Sequence, residues 1–173
     1  VFNAGRLKAR EGYVLDTSGA PGIGVLAAPG HIFLKFEITG RPAHAGIAPE
    51  TGVSAIEVAA RGIARMKLGR VDPQTTANIG RIEGGGETNI VAASCVVTAE
   101  CRSLDPDRLA EQTRHMVDCM TRAAAEVGAV VRTETHQSYD SYQVDPDHPV
   151  ARRFQEACQN IGRMARFIST GGG

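Results

Sequence analysis

His44 is the residue of this chain best suited to chemistry, because it stands in a short loop of small residues, GRPAHAG over 40–46. An imidazole changes charge near neutral pH and ligates metals, and loops held between rigid elements concentrate catalytic and binding groups. The alternative is a loop histidine that hydrogen-bonds to nearby backbone. The remaining histidines have no metal-ligand spacing and are predicted to be ordinary surface or packing residues: His31, His115, His136 and His148.

Asn89 and Arg102 are candidate substrate contacts at the two ends of a predicted strand over 90–102. An amide and a guanidinium both suit a carboxylate or a developing oxyanion. Each also has a structural explanation, Asn89 as a turn residue and Arg102 as a solvated charge on a sheet face. An extended strand would hold the two residues ~40 Å apart. One site that uses both from the same chain is therefore awkward unless the strand bends or bulges.

Asp16, Gly171 and Gly172 are weaker candidates at the ends of other predicted strands. Asp16 closes a predicted strand over 12–16, where a carboxylate can ligate a cation or accept hydrogen bonds in an Asx-turn. The two glycines follow a predicted strand over 163–169 and would let a ligand approach the backbone closely. No glycine run has the spacing of a phosphate-binding loop or of a dinucleotide fingerprint.

The middle of the chain, residues 31–143, has the elements that would position His44. Apolar residues alternate with polar ones over 32–39, and further strands are predicted at 75–82, 90–102 and 130–135. A second helix is predicted to begin at Asp105-Pro106. The stripe predicted for the first helix is Val53, Ile56, Ala60, Ile63 and Met66. Strand-helix-strand, repeated twice, predicts an α+β fold, a ferredoxin-like two-layer sandwich with a four-stranded antiparallel sheet and two helices on one face.

The flanking residues 1–30 and 144–173 have too little apolar surface to fold alone. The first segment is predicted to hold two short strands, and the second a helix and a strand that lead into glycines. We expect them to be pieces of a second, α/β domain into which the sandwich is inserted. The chain is accordingly expected to be a fragment of a larger protein.

Composition limits the possible partners. Nineteen basic and nineteen acidic residues give a formal charge of zero, which argues against a general polyanion binder. An RNA-binding sandwich would present aromatic residues on its central strands, and the stretch 90–102 has none. No apolar run has the length of a membrane span. The four cysteines form no C-x-x-C pair and are predicted to be buried thiols in a reducing compartment, the cytoplasm, with disulfide pairing as the alternative.

Four stretches together resemble the dinuclear-zinc exopeptidase family, which includes peptidase T, glutamate-releasing carboxypeptidases and aminoacylase. They are YVLD over 13–16, ITGRPAHAGIAPE over 38–50 with GVSA after it, TNIV with ECR over 88–102, and TGGG over 170–173. They follow the family order and span nearly the whole chain. The first stretch is most similar to peptidase T-like aminopeptidases, which release N-terminal residues from short peptides.

The resemblance implies a role for each candidate residue. Asp16 would be a zinc ligand, and His44 would reach across a homodimer interface and polarise the scissile carbonyl of the partner's substrate. Asn89 and Arg102 would contact substrate, either at one site or at the sites of different subunits, and Gly171 and Gly172 would line the cleft. Residues 31–143 would be the lid and dimerisation domain, pairing through helices or an edge strand.

The other metal ligands and the general base of this family have no counterpart in the sequence. The resemblance therefore implies a parent enzyme that uses two zinc ions, whereas this segment alone is expected to bind zinc weakly and to hydrolyse no peptide. The alternative is a regulatory or protein-pairing module without catalysis, because the same sandwich serves many functions.

Overall fold

Two helices cover one face of a five-stranded antiparallel sheet in Pro29–Ser141. The structure is a computed structural model that describes residues 5, 8, 9 and 11–172. In chain order the elements are β1 Ile23–Ala28, β2 Gly30–Thr39, α1 Ala55–Arg65, β3 Gly69–Asp72, β4 Thr75–Gly84, β5 Ser94–Ser103, α2 Pro106–Ala125, β6 Val130–Tyr139, β7 Tyr142–Gln143, α3 Pro149–Asn160 and β8 Arg166–Ser169. No helix among these described residues is long and apolar enough to cross a membrane.

The sheet has the strand order β3-β4-β5-β2-β6. The α+β class is confirmed, and four of these strands alternate with the two helices in the predicted order. The prediction of four strands was wrong by one, because β3 forms an additional edge. Its four residues include one apolar side chain and begin at Gly69 with φ +74°, so they show no alternation that would indicate a strand.

The core lies between the sheet and the helices and is built from alternate strand residues. Leu34, Phe36 and Ile38 of β2 are buried beside the inward side chains of β5, as the alternation predicts. The predicted stripe of α1 was wrong at Ile56 and Ala60, which are exposed, whereas Met66 is buried and Ile63 packs against the core. The buried residues of the helix are Ala55, Val58, Ala59 and Gly62. Small residues face inward because α1 approaches α2 closely: a Cβ on Gly62 would lie 2.7 Å from Met120 Sδ.

A second compact unit comprises the residues up to Ala28 together with Tyr142–Gly172. Its sheet has the order β7-β1-β8, with β1 parallel to β8 and antiparallel to β7. The rings of Phe154 on α3 and Phe167 on β8 lie 6.0 Å apart. The prediction of a strand over 12–16 was wrong: this segment pairs with no strand among the described residues, and Val14 and Leu15 are 90% and 96% exposed. The domain boundaries were predicted between residues 30 and 31 and between residues 143 and 144. The two compact units divide two residues earlier in each case, after Ala28 and after Ser141.

Candidate functional site

The loop that carries His44 is fixed to the segment 89–93 by backbone hydrogen bonds. The donor and acceptor atoms are Gly40 N to Ala93 O (2.8 Å), Val91 N to Ala43 O (2.9 Å) and Ala45 N to Asn89 O (2.8 Å). These bonds explain why β5 begins at Ser94 and not at residue 90 as predicted: the backbone of 89–93 is already paired with this loop. The loop is therefore fixed by backbone hydrogen bonds although it has no regular secondary structure.

Arg41 closes the other side of the same loop. Its backbone N–H and C=O exchange hydrogen bonds with Val53, at 2.9 and 2.8 Å. The Arg41 side chain adds a bond from Nε to the Thr51 carbonyl oxygen, at 2.5 Å. A short 3-10 helix, Pro49–Thr51, lies between these contacts, and Ser54 then caps α1 by accepting the N–H of Glu57. The hydrogen bonds between Arg41 and Val53 thus close residues 41–53 into a loop that carries His44.

The His44 side chain is exposed on this fixed loop. Its Nδ1 accepts a hydrogen bond from the backbone N–H of Gly46, at 3.2 Å. Its backbone forms an isolated antiparallel bridge with Ile90, and residues opposite each other in such a pair project to the same side. An imidazole and a 41% exposed isoleucine side chain therefore stand side by side at the surface.

Asn89 belongs to the same surface as His44. Its carbonyl oxygen accepts the N–H of Ala45, the residue after His44, and its side chain is exposed. The structure therefore brings these two predicted site residues together, as neighbours on facing backbone segments. An imidazole N–H and an amide N–H are both suited to an oxygen that develops negative charge.

Arg102 lies at the opposite end of β5, in a cluster with Glu100 and His31. Glu100 Oε2 accepts hydrogen bonds from Arg102 Nη2 and from His31 Nε2, each at 2.9 Å. The hydrogen bond from Arg102 holds the pKa of Glu100 below its ordinary value against the opposing effect of burial, and the same contact raises the pKa of Arg102. The His31 ring also lies 5.4 Å from that of Tyr139.

Strand β5 separates Arg102 from the surface that carries His44 and Asn89. Ser94, at the start of β5, pairs with Thr39 just before the His44 loop, whereas Ser103 pairs with Gly30 at the far end of β2. Ser94 and Arg102 are eight positions apart, about 26 Å along a strand. The expected separation of Asn89 and Arg102 is shortened because 89–93 leave the strand, but the two residues still occupy opposite ends of the sheet.

Asp16, Gly171 and Gly172 belong to the second unit. Asp16 is exposed in an irregular segment, and Gly172 N–H donates to Thr170 Oγ1 at 3.2 Å after β8. Apart from its two chain neighbours, no described residue has a heavy atom within 4 Å of a Cβ placed on Gly171. Zinc needs three or four protein ligands, and no group of three His, Cys, Asp or Glu side chains able to hold a metal occurs among the described residues.

Sequence reasoning missed the partners of Arg102. His31 was assigned to ordinary surface or packing, whereas it is directly opposite Arg102 in the β2–β5 register and bonds to Glu100. The signal was present for Glu100, because residues two apart on a strand share a face and a Glu-x-Arg pair of opposite charge is expected to interact. His31 was not detectable in this way, since its contact depends on the strand register.

Residues 26–128 match the family model of the peptidase dimerisation domain. The chain is 39% identical over 167 residues to the uncharacterized protein YqjE of Bacillus subtilis (strain 168), covering 96% of this chain and 45% of YqjE. It is similar to a solved tripeptidase of Staphylococcus aureus, with 42% identity, a TM-score of 0.95 and coverage of 99% and 46%. It is similar also to aminopeptidase PepT of Bacillus cereus, with 40% identity, a TM-score of 0.92 and the same coverage. The chain thus spans about half the length of these relatives.

Proposed function

The chain belongs to the family of peptidase dimerisation domains, and on that premise we propose that it is the lid and dimerisation portion of a zinc-dependent exopeptidase. The proposed substrates are short peptides, tripeptides among them, from which the enzyme releases N-terminal residues. Residues 31–143 are the proposed lid, and 1–30 and 144–173 are the proposed pieces of the catalytic domain. The observation that carries the proposal is the exposed His44 ring on a loop fixed by backbone hydrogen bonds.

His44 has the proposed role of polarising the scissile carbonyl in the active site of the partner subunit. A fixed donor at an oxygen that gains negative charge lowers the barrier to acyl transfer because it needs no reorganisation during the reaction. The loop supplies such fixation, since the segments on both sides of His44 are hydrogen-bonded to 89–93. Exposure of the ring supports a target outside its own sandwich.

Asn89 and Arg102 are proposed to contact substrate at different active sites of the dimer. Asn89 accompanies His44 into the partner's site, and Arg102 serves the site of its own subunit. The support for this division is their position at opposite ends of β5. A guanidinium there suits a peptide carboxylate, and Gly171 and Gly172 are proposed to line the cleft beside the substrate.

Zinc enters the proposal through the family resemblance, with Asp16 as one carboxylate ligand. When bound, the two ions would activate water and polarise the carbonyl. The remaining ligands are proposed to lie in the half of the relatives' length that this chain does not span. The four free buried thiols support a reducing compartment, and the cytoplasm is the proposed location.

A homodimer through residues 31–143 is part of the proposal. The two edge strands of the large sheet are β3, with four residues, and β6, with ten. Among the described residues β6 pairs with β2 alone, so its other edge presents unpaired backbone groups that favour strand addition. Light scattering on the purified chain should give twice its mass of 18.3 kDa. A monomer at all concentrations would show that residues 31–143 do not dimerise on their own.

The decisive test is His44→Ala in the full-length protein that carries this chain, assayed with a tripeptide. We expect kcat to fall about a hundredfold or more while the zinc content stays unchanged. His148→Ala is the matched control, because His148 is an exposed histidine outside residues 31–143 and has no proposed role in catalysis or dimerisation. Parallel loss of zinc and activity in His44→Ala would assign His44 to metal binding or folding instead. Full activity of His44→Ala would contradict the proposal.

A further inference from the structure

The hydrogen bond between Gly46 and His44 determines which ring nitrogen carries the proton. A backbone N–H is always a donor, so the Nδ1 that receives it at 3.2 Å must present a lone pair. A neutral imidazole has one proton, which is then on Nε2. We propose that the Gly46 N–H holds the neutral His44 ring in the Nε2–H form, so that the exposed nitrogen presents a hydrogen-bond donor to the substrate carbonyl.

The backbone of this turn is itself fixed, which keeps the Gly46 donor in place. The His44 carbonyl oxygen accepts the N–H groups of Ile47 and Ala48, at 3.1 and 3.0 Å, so the chain closes one turn directly after the ring. Gly46 is not required here for its conformation, because its φ is not positive. A Cβ at this position would meet His44 Cε1 and Nδ1 at 3.7 Å, which is ordinary contact. The contribution of Gly46 is its N–H.

The other ring nitrogen is available to a ligand. Within the part of the chain that the structure describes, the bond from Gly46 is the one hydrogen bond made by the His44 side chain. Ile90, opposite His44 in the bridge, has an apolar side chain that offers no acceptor, and the Ile47 side chain is 77% exposed. The Nε2–H therefore makes no hydrogen bond with a described residue and is available to a ligand.

This assignment separates three possible roles of His44. A general base or a metal ligand acting through Nε2 needs a lone pair there, which would move the proton to Nδ1 and place two N–H donors against each other. A carbonyl polariser needs a proton on Nε2, which the loop already provides. The role at a carbonyl rests on the proposed function, whereas the protonation state of the ring does not.

The test is a long-range proton–nitrogen NMR correlation on the uniformly nitrogen-15-labelled chain, at a pH where the rings are neutral. The expected result is a protonated Nε2 and an unprotonated Nδ1 for His44. Two other histidines are internal references. His148 Nδ1 accepts the N–H of Val150 at 3.3 Å and should show the same form, whereas His115 Nε2 accepts the N–H of Lys67 at 3.2 Å and should show the reverse. A His44 ring in the Nδ1–H form, or averaged between the two forms, would overturn the proposal.

Two variants isolate the role of Gly46. Gly46→Ala keeps the N–H and should leave the His44 pattern unchanged, whereas Gly46→Pro removes the donor and should shift the ring to an averaged mixture. The Val91 amide signal reports whether the loop is intact, because this N–H is bonded to the Ala43 carbonyl. An intact loop in Gly46→Pro with His44 still fixed as Nε2–H would overturn the role of Gly46. If the Val91 signal is lost in Gly46→Pro, the proposal is tested by the spectra of the native protein and of Gly46→Ala. The spectra contain no substrate, so failure of the peptidase proposal would leave their interpretation unchanged.

Discussion

Glu100 holds Arg102 from two positions away on the same face of β5, through a hydrogen bond of 2.9 Å to the guanidinium. The same carboxylate oxygen also accepts a hydrogen bond from His31 Nε2. Both contacts form within one subunit, so the Arg102 side chain is oriented before any ligand arrives. Ordering a long side chain in advance reduces the entropy that binding must otherwise overcome.

Glu100→Gln should therefore weaken peptide binding in the full-length enzyme. The substitution keeps the shape but replaces a charge-assisted contact with a neutral one, which is roughly half as strong. We expect KM for a tripeptide to rise about tenfold with a smaller change in kcat, because Arg102 is proposed to bind the substrate and not the reacting carbonyl. Glu134→Gln is the control, since Glu134 pairs with Arg132 on β6. An unchanged KM would show that Glu100 does not position a substrate contact.

Mixing inactive variants should restore activity if each active site uses residues from both subunits. In a dimer of His44→Ala with Arg102→Ala, one site keeps both native residues and the other loses both. Statistical mixing through denaturation and refolding then predicts recovery to about a quarter of native activity. No recovery after verified mixing would place both residues at the same subunit's site.

A mixture of His44→Ala with Asn89→Ala is the matched comparison for the mixture of His44→Ala with Arg102→Ala. These residues lie on facing segments joined by the Ala45–Asn89 backbone hydrogen bond, and both are proposed to enter the partner's site together. Each site of the mixed dimer then lacks one of them, so mixing should restore no activity. Recovery of activity in this mixture would show that His44 and Asn89 serve different active sites, which would contradict the proposal that both enter the partner's site.

Acid should destabilise the fold through several carboxylates. Their pKa values lie below the ordinary range mainly because each accepts a hydrogen bond: Glu37 from Lys35, Asp72 from the Gln74 backbone, Glu100 from Arg102 and Glu126 from Arg65. A carboxylate whose pKa is lowered in the folded state stabilises the fold at pH values above its unfolded pKa of about 4. This stabilisation is lost as the pH falls through the pKa of the folded state. The urea midpoint should be lower at pH ~3 than at pH 7. An equal midpoint at both pH values would mean these contacts do not persist in solution.

The contact between α1 and α2 should not tolerate a larger residue at Gly62. An added Cβ would lie 2.7 Å from Met120 Sδ and 3.3 Å from Met120 Cα, so the helices would have to separate. Gly62→Val should lower the free energy of unfolding by about 1–3 kcal/mol. Ala60→Val, on the exposed side of the same helix, controls for the lower helix propensity of valine and should cost less. Equal urea midpoints for the two variants would show that the helices are not in close contact.

The sequence predicted those features that depend on local alternation or on motif. The inward face of β5, the Asp105 cap and Pro106 at the start of α2 follow from period-two patterning and capping chemistry, and all three are confirmed. The exopeptidase family was predicted from four stretches along the chain, and its peptidase T-like members from the first of them, residues 13–16. The family and structural matches confirm this relationship. The roles of the individual site residues remain predictions.

The features that were not predictable depend on contacts between distant segments. Ile56 is larger than its neighbours and was placed in the core, but the close approach of α1 to α2 favours alanine and glycine there. The short β3 has no apolar alternation and exists because it pairs with β4. The bend before Ser94 likewise arises from pairing with the His44 loop, which no period along the strand encodes.

The short strand β3 also has a consequence for assembly. It occupies the flank of β4 with four residues and an irregular register, which leaves little regular backbone for another chain to extend. The opposite flank at β6 is longer, with ten residues and an unbroken register from Ile32↔Gln137 to Thr39↔Val130. If two copies pair through β6, the long edge of each sheet becomes paired, and assembly stops at a closed dimer. A sheet with two long free edges could add copies at both, whereas the four residues of β3 restrict strand addition to the β6 edge.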